Sequence, residues 1–93
     1  MTIDAAFVPK LARKARLKLD RHANKYLILY PERGLELNDE AAAIAQKLDG
    51  TRSIATIADE LAKEHDGAPR DAIETDVIAF VTQLHTKGLL ELA

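Results

Sequence analysis

The chain reads as an α+β domain in which three antiparallel strands precede three helices. Two observations predict it. Apolar and charged residues alternate with period two through Arg16–Asp20 and again through Leu35–Leu37, with a β-rich run, Tyr26–Tyr30, between them. Beyond Asn38 the apolar spacing changes to three and four, the signature of helices packed by one face.

The elements follow in order. Residues 1–15 have weak periodicity and a break at Pro9, and are expected as an N-terminal arm to a single domain over 16–93. Arg16-Leu17-Lys18-Leu19-Asp20 is a half-buried strand, and the polar Arg21–Asn24 suits a hairpin turn. In the second strand Leu27 and Leu29 point one way and Tyr26, Ile28 and Tyr30 the other, which predicts a central strand covered on both faces. Pro31 ends it, because proline lacks the N–H that a ladder needs. Pro31-Glu32-Arg33-Gly34 has turn chemistry, and the short strand after it suits a sheet edge.

Asn38 is placed to cap the first helix, with Asp39 and Glu40 complementing its dipole. Apolar residues at 41, 44, 45 and 48 follow, and Asp49-Gly50 is expected to stop the helix. A second helix starts near Ser53 and presents Ile54, Ile57, Ala58 and Leu61. Ala68-Pro69-Arg70 leads into the third and longest helix, with Ile73, Val77, Phe80, Val81 and Leu84 on one stripe and Gly88 closing it. Leu89–Leu92 is expected to add a short last strand. Three helices beside a hairpin also make the outline of a winged helix, so the fold is expected to be winged-helix-like.

Composition narrows the function. At 93 residues, with 47% hydrophobic and 30% charged residues, the balance is that of a soluble globular protein. There is no cysteine, which excludes disulfides, thiolate nucleophiles and cysteine-bound zinc or iron–sulfur centres. No apolar run approaches the roughly 20 residues of a membrane span, and no signal peptide is indicated, so a cytoplasmic protein without membrane contact is expected. Residues 1–33 carry eight Lys or Arg against three acidic residues, whereas residues 34–93 carry five against twelve. The first third is basic and the helical part acidic.

That asymmetry bears on nucleic acid. A winged-helix DNA reader needs cations on its recognition helix and wing. Here the third helix sets Asp71, Glu74 and Asp76 beside Arg70 and Lys87, and the second sets Asp59, Glu60 and Glu64 beside Lys63. A nucleic-acid-binding regulator using the basic arm and first hairpin is the alternative function, and it is disfavoured. Catalysis is disfavoured too. The sole serine, Ser53, falls where a helix cap is needed, and His22, His65 and His85 share no metal-ligand spacing, so neither an enzyme site nor a metal or other cofactor is expected. The edge strand Gly34–Leu37 is the most specific surface left: unpaired N–H and C=O groups there can accept an extended peptide. The two-faced second strand and the arm leave a homodimer open.

One combination of motifs is more specific. Pro9-x-Leu11, Arg16-Leu17-x-x-Asp20, Leu29-Tyr30-Pro31-Glu32, Leu37-Asn38, Ala42-x-Ile44, Leu48-Asp49-Gly50, Ile57-x-x-x-Leu61 and Asp76-Val77-x-x-Phe80 together resemble the PqqD family, over about residues 9–90. The resemblance implies a non-enzymatic, peptide-binding adaptor in pyrroloquinoline quinone (PQQ) biosynthesis. Such a protein binds the precursor peptide PqqA and presents it to the radical S-adenosylmethionine enzyme PqqE, which cross-links a Glu and a Tyr of the peptide. It also implies that the peptide adds as a strand in a groove walled by the last helix. Carried onto this chain, the edge is Gly34, Leu35, Glu36 and Leu37, and helical spacing draws the wall from Val77, Val81, Leu84 and their neighbours.

Overall fold

The computed structural model describes residues 2–31, 33–65 and 67–91. Strands β1 (Arg16–Asp20), β2 (Lys25–Tyr30) and β3 (Arg33–Leu37) precede helices α1 (Asp39–Ala45), α2 (Ile54–Glu64) and α3 (Arg70–Thr86). The sheet is antiparallel in the order β1-β2-β3. This is the predicted α+β, winged-helix-like arrangement. The β1–β2 turn is held by Asp20, whose carboxylate accepts from the His22 N–H at 3.0 Å and the Ala23 N–H at 3.3 Å. Asn24 takes a φ of 53° there, a conformation its short polar side chain tolerates. The turn expected over Pro31–Gly34 is shorter than predicted: Arg33 and Gly34 already belong to β3, paired with Tyr30 and Leu29, and Gly34 does not take a positive φ, while Glu32 lies outside the described residues.

The register sets the two faces. Leu17 pairs with Ile28, and Ile28 with Leu35, while Leu19, Tyr26 and Leu37 share the next row. That face meets the helices: Ile28 is fully buried and packs with Ile54, Ile57, Val77, Val81, Leu84 and Leu89 in one core. The opposite face holds Leu27 between Lys18 and Glu36, and Leu29 between Arg16 and Gly34. β2 is central as predicted, but it is covered on one side only. Leu27 and Leu29 are half-buried among neighbouring strand side chains and take no part in the core.

Both predicted side-chain caps form. Asn38 Oδ1 accepts from the Ala41 N–H at 2.7 Å, and Ser53 Oγ from the Thr56 N–H at 3.1 Å. Helix α1 ends at Ala45, short of Asp49-Gly50, and the chain leaves through tight turns from Lys47 N–H to Ile44 and from Leu48 N–H to Ala45. Leu48 is nonetheless buried.

Residues expected as an arm are stitched to the body. The Leu11 N–H donates to Leu48 and the Ala12 N–H to Leu89, while Phe7 and Pro9 accept from Ile54 and Gly50. Pro9 is fully buried, and Ile3, Phe7 and Leu11 pack on the core. The segment lacks periodicity because single anchors and backbone bonds hold it, not a repeating face. The expected last strand is reduced, among the described residues, to one bridge from Leu90 to Leu11; Leu92 lies outside them.

Candidate functional site

β3 is an edge strand: β2 takes one side of its ladder, and its other side is unpaired among the described residues. Alternate residues of such a strand direct N–H and C=O outward. That open side looks into a groove of about 330 Å³. Its strand side is Leu35, Glu36 and Leu37, continued by Asn38 and by Glu40, Ala41 and Ile44 of α1. The facing wall is α3, through Asp76, Ala79, Phe80 and Gln83.

Three of the four predicted edge residues therefore line the groove. Gly34 does not. A Cβ at that position would lie 3.3 Å from Leu29 Cδ2, so glycine here lets Leu29 lie across the outer face of β3.

The predicted wall needs correction. Val77, Val81 and Leu84 have no exposed surface and point into the core, so they line no groove. Asp76, Phe80 and Gln83 each lie one position earlier, about 100° around the helix. The apolar stripe reported correctly which face of α3 is buried, and the groove lies along the margin of that stripe. Phe80, half-buried and on the stripe, was the one wall residue visible in the periodicity. Asp76, Ala79 and Gln83 carry no pattern that would single them out.

The groove is bordered by negative charge. Glu36 pairs across the sheet with Lys25, and that hydrogen bond holds the Lys25 ammonium above its ordinary value of 10.5. Asp39, Glu40 and Asp76 make no ion pair among the described residues. Lys47, just after α1, and Arg70 of α3 are engaged elsewhere, and Lys63 is the one cation of α2, set against Asp59, Glu60 and Glu64. Lys47 donates to Glu60 at 3.1 Å and Glu64 at 2.8 Å, and Arg70 binds Asp59 at 2.6 Å and Glu74 at 3.1 Å. Neither α2 nor α3 thus offers a basic face to a phosphate backbone.

Chemistry-bearing side chains stay apart. Ser53 is used as a cap, and His22, His65 and His85 sit in the β1–β2 turn, at the end of α2 and in the last turn of α3. Among the described residues no group of three His, Asp or Glu is placed to hold a metal ion, and no helix is long and apolar enough to cross a membrane.

An unpaired strand edge facing a helix-walled groove can be compared with known proteins. Residues 25–90 match the family model described as Coenzyme PQQ synthesis protein D (PqqD). The chain belongs to the PqqD family. A relative from Xanthomonas campestris pv. campestris (strain B100), named PqqA binding protein, is 47% identical over 91 residues, which cover 98% of each chain. The solution structure of the PqqD part of Methylobacterium extorquens PqqCD superposes with a TM-score of 0.85 at 34% identity, covering 98% of this chain and 96% of that one. It is described as a functional, stand-alone recognition element for ribosomally synthesized and post-translationally modified peptides. Lasso peptide synthetase B1, solved with a leader peptide, superposes at 0.76 with 26% identity, over 92% of this chain and all of the other. The PqqD fold is thus shared with a protein solved holding a peptide.

Proposed function

We propose that this PqqD-family chain is a non-enzymatic adaptor of PQQ biosynthesis, which binds the precursor peptide PqqA by strand addition and presents it to the radical S-adenosylmethionine enzyme PqqE. The observation that carries this reading is the free edge of β3 facing α3. An extended peptide laid there completes the outward N–H and C=O groups, while alternate side chains face the α3 wall. Leu35 and Phe80, both half-buried, supply apolar surface for them. Leu35, Glu36 and Leu37 form the strand side of the proposed site, with Gly34 continuing the open edge just beyond the groove, and Asp76, Ala79, Phe80 and Gln83 take the place of Val77, Val81 and Leu84 on the helix.

Strand addition has a period, and the test uses it. PqqA peptides N-methylated at one backbone position at a time should lose affinity at every second residue of the bound segment, where the amide would donate to β3. Each loss should be about 2- to 12-fold, the scale of one net hydrogen bond. In a titration of isotope-labelled protein, amides of 34–37 and 79–83 should shift together. Shifts confined to Arg13–Arg21, with binding that collapses as salt rises, would sink the reading and favour an electrostatic ligand of the basic segment. Presentation is tested separately: the chain with PqqA should pull down PqqE, and omission of the chain should abolish peptide cross-linking.

A further inference from the structure

The groove does not close at α1. A second hollow of about 300 Å³ opens from it between the start of α1, the end of α2 and the start of α3, and the two share Glu40, Ile44 and Asp76. Its floor is apolar: Ile44 and Leu61 are buried, and Ala43, Ala68 and Ile73 are half-buried. Its rim is polar and exposed, formed by Asp39, Glu40, His65 and Asp76. The size lies at the low end of ligand pockets, which run from about 300 to 1,000 Å³, and suits one large side chain better than a whole ligand.

We propose that this hollow is the subsite for one apolar side chain of the bound peptide, and that its rim selects a Lys or Arg next to that side chain. The inference rests on the strand-addition reading and deepens it. Two observations carry it. The first is continuity: an occupant running along α3 from Gln83 toward Ile73 covers about 15 Å of helix, or four to five extended residues, and arrives over this hollow. The second is charge. Asp39 and Glu40 sit in the first turn of α1, where the helix dipole alone would favour them. Asp76 is in the body of α3 with no such role, and it brings a third carboxylate to the same rim without an ion-pair partner among the described residues. A cation held there gains from all three, while an acidic residue is repelled.

The test is a scan of PqqA in which each position in turn is Lys or Glu, measured by fluorescence anisotropy against the full chain. At one or two neighbouring positions near an end of the bound segment, Lys should bind about threefold to tenfold more tightly than Glu, the scale of a few exposed ion pairs. That preference should shrink at 1 M salt, where the screening length falls to about 3 Å. With Asp39→Asn and Asp76→Asn combined it should drop below twofold, and Ala43→Phe, which fills the floor, should weaken unsubstituted PqqA without changing its β3 contacts. Circular dichroism of each variant confirms that it is folded. A scan with no Lys-over-Glu position, or one whose preference survives the double variant, overturns the subsite alone. Failure of unsubstituted PqqA to bind at all would instead overturn strand addition, so the two failures are distinguishable.

Discussion

The division of α3 between core and groove makes a sharp prediction about two residues five apart. Leu84 is fully buried with Val77 and Val81, whereas Ala79 is exposed and faces the groove. Leu84→Ala removes buried methyl groups and leaves a cavity, at a cost of about 2–5 kcal/mol. For a domain of this size each kcal/mol lowers Tm by about 4–8 °C, so a mid-range loss of about 3 kcal/mol lowers it by about 12–24 °C. Affinity for PqqA should hardly change. Even from the low end of native stability, about 5 kcal/mol, the remaining ~2 kcal/mol keeps the chain mostly folded at 25 °C. Ala79→Arg should do the reverse. Arginine is a good helix former at an exposed site, so stability should stay within about 0.5 kcal/mol. Its side chain would occupy the groove and weaken PqqA binding at least about tenfold, a loss of ~1.4 kcal/mol. Thermal unfolding followed by circular dichroism, with anisotropy titration at 20 °C, reads both quantities. If Leu84→Ala melts like the parent and loses peptide, or Ala79→Arg melts early and keeps it, the assignment of α3 faces is wrong.

Two further outcomes are expected. Gly50 and Gly67 share the left-handed conformation, at φ 82° and 84°, but a Cβ on Gly50 would come within 2.9 Å of Lys10 Cδ whereas one on Gly67 meets nothing within 4 Å. Alanine at Gly67 should cost about 1–2 kcal/mol and at Gly50 about 1 kcal/mol more, measured by urea unfolding, and equal losses would mean that the N-terminal segment yields freely. The hydrogen bond from Lys47 holds the Glu60 carboxylate below its ordinary value of 4.5, so the stability it contributes is present above that pH and lost as pH falls through the lower folded value. Glu64 and Glu60 in turn hold the Lys47 ammonium above 10.5, a contribution present below that pH and lost as pH rises through the raised value. Lys47→Met should therefore flatten the dependence of the urea midpoint on pH between 5 and 3, and an unchanged slope would remove this ion-pair group from the account.

Much of the fold was legible because local rules and tertiary structure agree. Alternation in Arg16–Asp20, the caps at Asn38 and Ser53 and the stop at Gly88 each follow from residues within one turn or strand. Features that depend on other elements were not legible. Pro9 looks like a chain break until Gly50 donates to its carbonyl, and Leu27 and Leu29 look like a second core face until the helices all pack on the other side. The strand edge of the candidate groove was readable because the last strand of a three-stranded meander keeps one side of its ladder unpaired. The helical half was not, since a stripe of Ile73, Val77, Phe80, Val81 and Leu84 shows a buried face without showing which margin adjoins β3. The second hollow was least readable: Ala43, Leu61, Ala68 and Ile73 come from three helices and a linker, and each alone reads as ordinary core.

The composition of the groove is a consequence of core packing. Residues 76 and 77, 80 and 81, and 83 and 84 are adjacent pairs, and in each the first lines the groove and the second is buried. Because neighbours differ by about 100° around a helix, a large rotation of α3 would exchange the two sets. Val77, Val81 and Leu84 prevent it, because turning any of them outward would expose apolar surface at about 25 cal/mol per Å² while driving Asp76 or Gln83 toward Ile28 and Ile57 without partners. The rotation so fixed sets Ala79 opposite the strand edge, where a small side chain leaves the width a peptide needs, and puts Phe80 beside it as the apolar surface. On the strand-addition reading, affinity would thus rest on α3 residues outside its fully buried set, of which Phe80 also packs on the core, and their positions are held by residues that should never touch the peptide.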